Sequence, residues 1–326
     1  MAAVELLATF ERFDPVYKTV DSTPIGVAVL VPKTLASSGT PTTCPLMVHF
    51  HGGCLIIGTN PEPHFIGKWV LRFAEVTNAI IVSPAYRLIP EATGGDVMDD
   101  ISDFWDFVSS SLPSVITQKY PHLEIDLSRT AAFGESAGGF LSLQSAFLFQ
   151  SKANIKAVVA PYPAMYPDIA CYNPRQLPEG VQTAQDDAIT AYIQENARQG
   201  KVRLSTPFPE LLELLVVNYL ATGRHREMLG EDQRLRLEYG LQTAVEGGKG
   251  VPPIWILQST EDRVIPKEST DELVQRISKA LPDTPLKYSV QTGGDHGFDA
   301  PMGLDEPFIA EGIEFVKKYW PGVGEQ

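Results

Sequence analysis

Short apolar runs bounded by Gly, Pro, Asn or Asp recur along the chain, and longer stretches with apolar residues every third or fourth position lie between them. The runs at Val16–Val20, Ile25–Val31, Leu46–Phe50, Ala79–Val82, Ile155–Ala160, Ile254–Gln258 and Leu286–Gln291 predict strands. Helical spacing marks Phe65–Val76, Asp96–Val108, Lys267–Leu281 and Glu306–Tyr319. In the second of these, Val97, Ile101, Phe104, Trp105 and Val108 share one side. Val4–Phe10 predicts a further short helix. Strands alternating with helices imply a mostly parallel α/β sheet covered on both faces. From Pro161 to about Gly250 the alternation stops: prolines cluster, helical stretches follow at Asp186–Arg198 and Pro209–Tyr219, and no strand pattern is seen. This reads as a helical insertion over the sheet of a single domain spanning residues 1–326.

Composition narrows the partners. The chain carries 26 Lys and Arg against 40 Asp and Glu, a net charge of −14. With no basic cluster to offset it, that balance argues against nucleic acid or an anionic membrane. No apolar run reaches the length of a membrane span, and Met1–Phe10 has no secretory leader pattern. Three cysteines, Cys44, Cys54 and Cys171, form neither a disulfide framework nor a metal spacing. The expectation is a cytoplasmic protein, its oligomeric state left open and a homodimer included.

The densest chemical signal is Thr130–Gly139, an apolar run that ends in Gly134-Glu135-Ser136-Ala137-Gly138 and passes at once into small, helix-compatible residues. A serine on a sharp strand-to-helix turn needs tiny neighbours, and its hydroxyl then projects beside the positive end of a helix. Ser136 is therefore the candidate nucleophile. Its base must be a histidine that follows it in the chain, since the elbow arrangement runs Ser, acid, His. Two histidines qualify. His225 sits between Arg224 and Arg226 inside the insertion and reads as a solvated residue, whereas His296 lies in a glycine-rich loop directly after a strand. The acid should follow the preceding strand, which points to Asp262, with Glu261 as the fallback. Asp295, adjacent to His296, is expected to shape the loop. Oxyanion donors are expected from the amides of Ala137 and of Gly52 and Gly53, in the loop after Leu46–Phe50. His49-x-His51 places two imidazoles on one strand face, yet no third ligand stands nearby to make a metal site.

These residues together resemble the hormone-sensitive-lipase-like carboxylesterases of the α/β-hydrolase fold. His51-Gly52-Gly53-Cys54-Leu55-Ile56-Ile57-Gly58 resembles the family's H-G-G-G-x-x-x-G, and Tyr86-Arg87-Leu88-Ile89-Pro90-Glu91 is similar to its Y-R-L-A-P-E. Gly134-Glu135-Ser136-Ala137-Gly138-Gly139 matches G-[DE]-S-A-G-G, and His296-Gly297-Phe298 falls where the family has H-x-F. The resemblance runs from about residue 45 to the end. It implies an α/β-hydrolase fold, a catalytic triad of Ser136, Asp262 and His296, and oxyanion donors Gly52, Gly53 and Ala137. It also implies a helical cap made from about residues 1–24 and 161–250, no cofactor, and a small-molecule ester or lactone as substrate. One departure stands out: Cys54 replaces the family's third glycine and narrows the space near the acyl group, so esters of tertiary alcohols are expected to fit poorly. Lactone opening, acyl transfer or elimination on a specialised metabolite would use the same triad. A receptor-like binding homologue is the non-enzyme alternative, and the retained His296 speaks against it.

Overall fold

A computed structural model of the chain describes residues 3–164, 187, 190–192, 194–195, 202–205 and 225–320. Nine strands form one sheet: β1 Phe10–Phe13, β2 Val16–Val20, β3 Thr23–Pro32, β4 Thr42–Phe50, β5 Ile80–Pro84, β6 Leu123–Gly134, β7 Ile155–Pro161, β8 Ile254–Ser259 and β9 Leu286–Gln291. Their spatial order is β1-β3-β5-β4-β6-β7-β8-β9, with β2 also paired to β3. Strands β4 to β9 are mutually parallel, while β1, β2 and β5 run antiparallel to β3. All the strands expected from the apolar runs are present.

The central strands are apolar on both faces because both are covered. Leu46, Val48, Phe50, Val158, Ala160, Ile254 and Ile256 enter one core. Their alternating neighbours Met47, Ala157, Val159, Trp255 and Leu257 enter the other. The first core is closed by the helices Gly94–Ser110, Ala137–Leu148, Leu237–Gly247 and Lys267–Ala280, and the second by Lys68–Val76 and Pro307–Lys317. At about 25 cal/mol per Å² of apolar surface, two such cores are the main stabilising term. Packing is tight enough that a Cβ on Gly312 would lie 1.7 Å from the Trp255 ring.

Several boundaries differ from the pattern reading, each for a local reason. The helix at residues 94–110 starts two residues before the expected Asp96, because Thr93 and Asp96 form a reciprocal capping box: Asp96 N donates to Thr93 Oγ1 at 3.1 Å and Thr93 N donates to Asp96 Oδ2 at 2.8 Å. The amino terminus is a helix over Ala3–Leu7 followed by strand β1, where a helix to Phe10 was expected. Residues 10–13, 16–20 and 23–32 are sheet strands, so the expected N-terminal contribution to a cap is corrected: this segment builds the antiparallel edge instead. Leu6 is buried with Trp69, Val70 and Phe73.

Of the expected insertion, residues 225–250 also belong to the core, since Leu229, Leu235, Leu237, Leu241 and Ala244 pack with Phe140, Leu143 and Phe147. Residues 187, 190–192 and 194–195 are helical, as expected for Asp186–Arg198. The expected helix Pro209–Tyr219, and Cys171, lie outside the described residues.

The chain reverses direction around β4. From β4 it proceeds to β5 on one side, then returns to place β6 on the other, so β4 and β6 flank the topological switch point. The crevice beyond the carboxyl ends of such strands is where α/β sheets collect their functional groups. In register, Phe50 pairs with Gly134, so the glycine loop and the serine turn emerge side by side.

Candidate active site

Three segments meet at that crevice. The first is the turn after β6. Ser136 has φ 56° and ψ −117° and caps the helix Ala137–Leu148. A non-glycine residue at that φ is strained, at a cost of order 1–3 kcal/mol, and the surroundings must hold it there. They do so through backbone bonds on both sides: Ser136 N donates to Pro161 O at 3.0 Å, and Ser136 O accepts from Ala164 N at 3.0 Å. The glycines follow from distance. A Cβ on Gly138 would lie 1.9 Å from Phe50 O, and one on Gly134 would lie 2.5 Å from the Gly138 backbone. The helix can start this close to the sheet only without side chains at those positions.

The second segment is the loop after β8. Asp262 is buried, and its Oδ1 accepts from Val264 N and Ile265 N, both at 2.8 Å. Its Oδ2 lies 2.8 Å from His296 Nδ1. A carboxylate with no proton can only accept, so Nδ1 carries the hydrogen and Nε2 presents a lone pair. Glu261, the fallback acid, is exposed. Asp262 and His296 are brought together as expected.

The third segment is the loop after β9. Asp295 accepts from Arg263 N at 3.1 Å and from the His296 amide at 2.9 Å, and it pairs with the Arg263 guanidinium. That cation holds the Asp295 carboxyl down at about 2. Asp295 therefore shapes the loop, as its position suggested. His296 stays partly open, its side chain 22% exposed. The other candidate base, His225, begins the short helix His225–Leu229.

Gly52 requires a correction. Its N–H donates to Glu135 Oε1 at 2.8 Å, so it is committed inward and is not available to an oxyanion. The reason is electrostatic. Glu135 is buried directly before the nucleophile and needs donors, which it takes from Gly52 and from His49 Nε2, at 2.9 Å from Oε2. No hydrogen bond from the amide of Gly53 or Ala137 is found among the described residues. A Cβ on Gly52 would lie 3.4 Å from Ser136 Cβ, so the glycine loop stands against the serine.

The same contacts orient the two imidazoles of His49-x-His51. His49 is turned onto Glu135, while His51 Nδ1 donates to Gly52 O at 2.7 Å and its ring stacks on Tyr86 at 4.3 Å. Burial lowers the His51 pKa to about 4 and keeps it neutral. Among the described residues no group of three or more His, Cys, Asp or Glu side chains could hold a metal.

Sequence reasoning missed two partners of the histidine loop. Tyr162 packs its ring 4.5 Å from that of His296 and donates its hydroxyl to Asp299 Oδ1 at 2.7 Å. Asp299 also accepts from Trp69 Nε1 at 2.8 Å, and its burial raises its pKa. The segment Pro161–Ala164 thus touches Ser136 on one side and His296 on the other. No periodicity marks Asp299; only its place three residues after His296 hinted at it.

Comparison with known proteins follows the same lines. A family model described as the alpha/beta hydrolase fold matches residues 47–299. The chain belongs to the α/β-hydrolase fold family. It is 32% identical over 322 residues to a probable carboxylesterase, M8, of a Phoma species, covering 96% of this chain and 97% of that one. It is 34% identical over 200 residues to a probable carboxylesterase, clz11, of Cochliobolus lunatus, covering 58% of this chain and 87% of that one. Among solved structures, esterase 2 of Thermogutta terrifontis, phosphoramylated by tabun, superposes with a TM-score of 0.56 at 15% identity, covering 94% of this chain and 92% of that one. Among the described residues no helix is long and apolar enough to cross a membrane.

Proposed function

We propose that this α/β hydrolase is a serine carboxylesterase acting on small-molecule esters through an acyl-enzyme on Ser136. The observation that carries the reading is the Asp262–His296 pair. A buried carboxylate anchored by two backbone amides fixes the imidazole tautomer, leaving Nε2 able to accept a proton from a serine held on a strained turn. In this mechanism His296 takes the Ser136 proton as Oγ attacks the ester carbonyl. The tetrahedral oxyanion is stabilised by the amides of Gly53 and Ala137, each donor worth about 3 kcal/mol. His296 then protonates the departing alcohol, and in the second half it activates the water that releases the acid. Asp262 stabilises the imidazolium in both halves. Apart from that water, every group the cycle needs is a side chain or amide of this chain, and no cofactor is called for.

The carboxylesterases to which the chain is similar support the substrate class. A helical cap drawn from about residues 161–250 would set the substrate's size. The test is hydrolysis of p-nitrophenyl esters of increasing acyl length by the wild type, Ser136→Ala and His296→Ala. Turnover by the wild type that disappears in both variants supports the reading. Turnover that persists in Ser136→Ala overturns it.

A further inference from the structure

The loop that carries the Gly53 amide is conformationally expensive. Gly53, Cys54, Leu55 and Gly58 all have positive φ, at 102°, 58°, 63° and 107°, and two of the four have side chains that disfavour it. Inside the loop, Ile56 N and Ile57 N donate to Gly53 O at 2.9 and 3.0 Å. Outside it, Ile89 N donates to Leu55 O at 2.9 Å, and Arg203 Nη1 donates to Ile56 O at 2.5 Å.

Arg203 reaches further than that one carbonyl. Its Nη2 donates to Ile89 O at 2.5 Å and pairs with Glu91 Oε2 at 2.7 Å, and its own carbonyl accepts from Leu88 N at 2.8 Å. One guanidinium therefore joins the glycine loop to the Leu88–Glu91 turn. Its side chain is 15% exposed and that of Glu91 is 5%, so the charge pair is largely removed from water and its geometry is fixed by several partners at once. The other Glu91 oxygen, Oε1, accepts from Tyr192 Oη at 2.9 Å. Arg203 and Tyr192 both lie between β7 and β8, more than a hundred residues from the loop they secure.

We propose that Arg203 is a positioning residue for the oxyanion loop, coupling the placement of the Gly53 amide to the insertion between β7 and β8. This rests on the esterase reading above. A planar fork is required, since two carbonyls and a carboxylate are gripped from different directions, and the single ammonium of a lysine cannot match them. Misplacing a catalytic group by about 1 Å can cost on the order of 100-fold in rate.

The experiment compares wild type, Arg203→Ala and Arg203→Lys, each shown to be folded by circular dichroism. The readouts are p-nitrophenyl butyrate kinetics and inhibition by an alkyl trifluoromethyl ketone, whose serine adduct carries an oxyanion. Arg203→Ala is expected to lose about 10- to 100-fold in kcat with KM changed by no more than roughly threefold. Affinity for the ketone should fall by the same factor as kcat/KM. Guanidinium chloride below denaturing concentration should restore part of the rate, and Arg203→Lys should resemble the alanine variant. If Arg203→Ala does not fold, the lysine variant carries the comparison. A folded variant with kcat within twofold of wild type, or with the loss confined to KM, overturns the inference alone. A wild type that neither hydrolyses ester nor reacts with a fluorophosphonate overturns the esterase reading and the inference with it.

Discussion

Replacing Asp262 by asparagine should separate catalysis from stability. In the native protein Oδ1 accepts from two backbone amides at 2.8 Å and Oδ2 faces His296 Nδ1 at 2.8 Å. An asparagine must keep its carbonyl on Val264 N and Ile265 N, because the opposite orientation would aim its NH2 at two N–H donors. The NH2 then faces Nδ1 and forces the imidazole proton onto Nε2, the nitrogen that must take the Ser136 proton. Loss of the correct tautomer in a triad of this kind costs about 10⁴-fold in kcat, or about 5.5 kcal/mol of barrier. Stability should change by only about 1 kcal/mol, since all three hydrogen bonds are replaced. Alanine at the same position instead leaves two inward amide donors without a partner, at about 1–3 kcal/mol each, so Asp262→Ala should lose about 2–6 kcal/mol. The assays are steady-state hydrolysis of p-nitrophenyl butyrate and urea unfolding of all three proteins. An asparagine variant keeping more than about a tenth of wild-type kcat would refute the tautomer argument. Equal stability of the two variants would refute the anchoring role of the amides.

Other consequences follow from particular contacts. His51 is neutral in the fold with a pKa lowered to about 4 by burial, while the unfolded chain protonates it near 6.5. The unfolded state therefore binds the extra proton, and stability should fall by about 3 kcal/mol as pH drops from 6.5 to 4. His51→Gln should flatten that part of the stability-against-pH curve, and parallel curves for the two proteins would count against it. Cys54 has φ 58°, so Cys54→Gly relieves about 1 kcal/mol of backbone strain while losing a buried thiol. It should leave unfolding free energy within about 1 kcal/mol and raise kcat/KM on tert-butyl esters about tenfold or more relative to n-butyl esters; an unchanged ratio would remove Cys54 from the specificity argument. Gly138→Ala drives a Cβ to 1.9 Å from Phe50 O and should cost about 3 kcal/mol or more, read as lost soluble yield or a lowered unfolding midpoint. A normal midpoint would show that the helix start can retreat.

The core of the fold was legible because central strands buried on both faces are written as continuous apolar runs. The edges were not. Phe10–Phe13 shows no strand alternation, and it is extended because Leu30 and Val31, which pair with it, lie about twenty residues away in the chain. The start of β6 at Leu123 was hidden for a similar reason. Its register with β4 shifts between Pro45 and Leu46, so the strand reads as two pieces. At the candidate site, Ser136, Asp262 and His296 could be chosen by chain order and loop position, and the preference for Asp262 over Glu261 agrees with burial. Gly52 was misassigned because a glycine's identity does not say which way its amide points. That direction is set by Glu135, whose carboxylate had no visible partner in the sequence. Asp299, Tyr162 and Arg203 escaped notice because each acts across more than a hundred residues of chain or through another side chain.

Covalent labelling reads directly whether Ser136 is a nucleophile activated by the Asp262–His296 pair. The protein is treated with a fluorophosphonate, digested with trypsin, and the peptide covering residues 130–152 is analysed by mass spectrometry. The wild type should carry one phosphonyl group on Ser136, His296→Ala should label much more slowly, and Ser136→Ala should not label. A wild-type peptide that stays unmodified, or carries the label on Ser142, Ser145 or Ser151 instead, would contradict it.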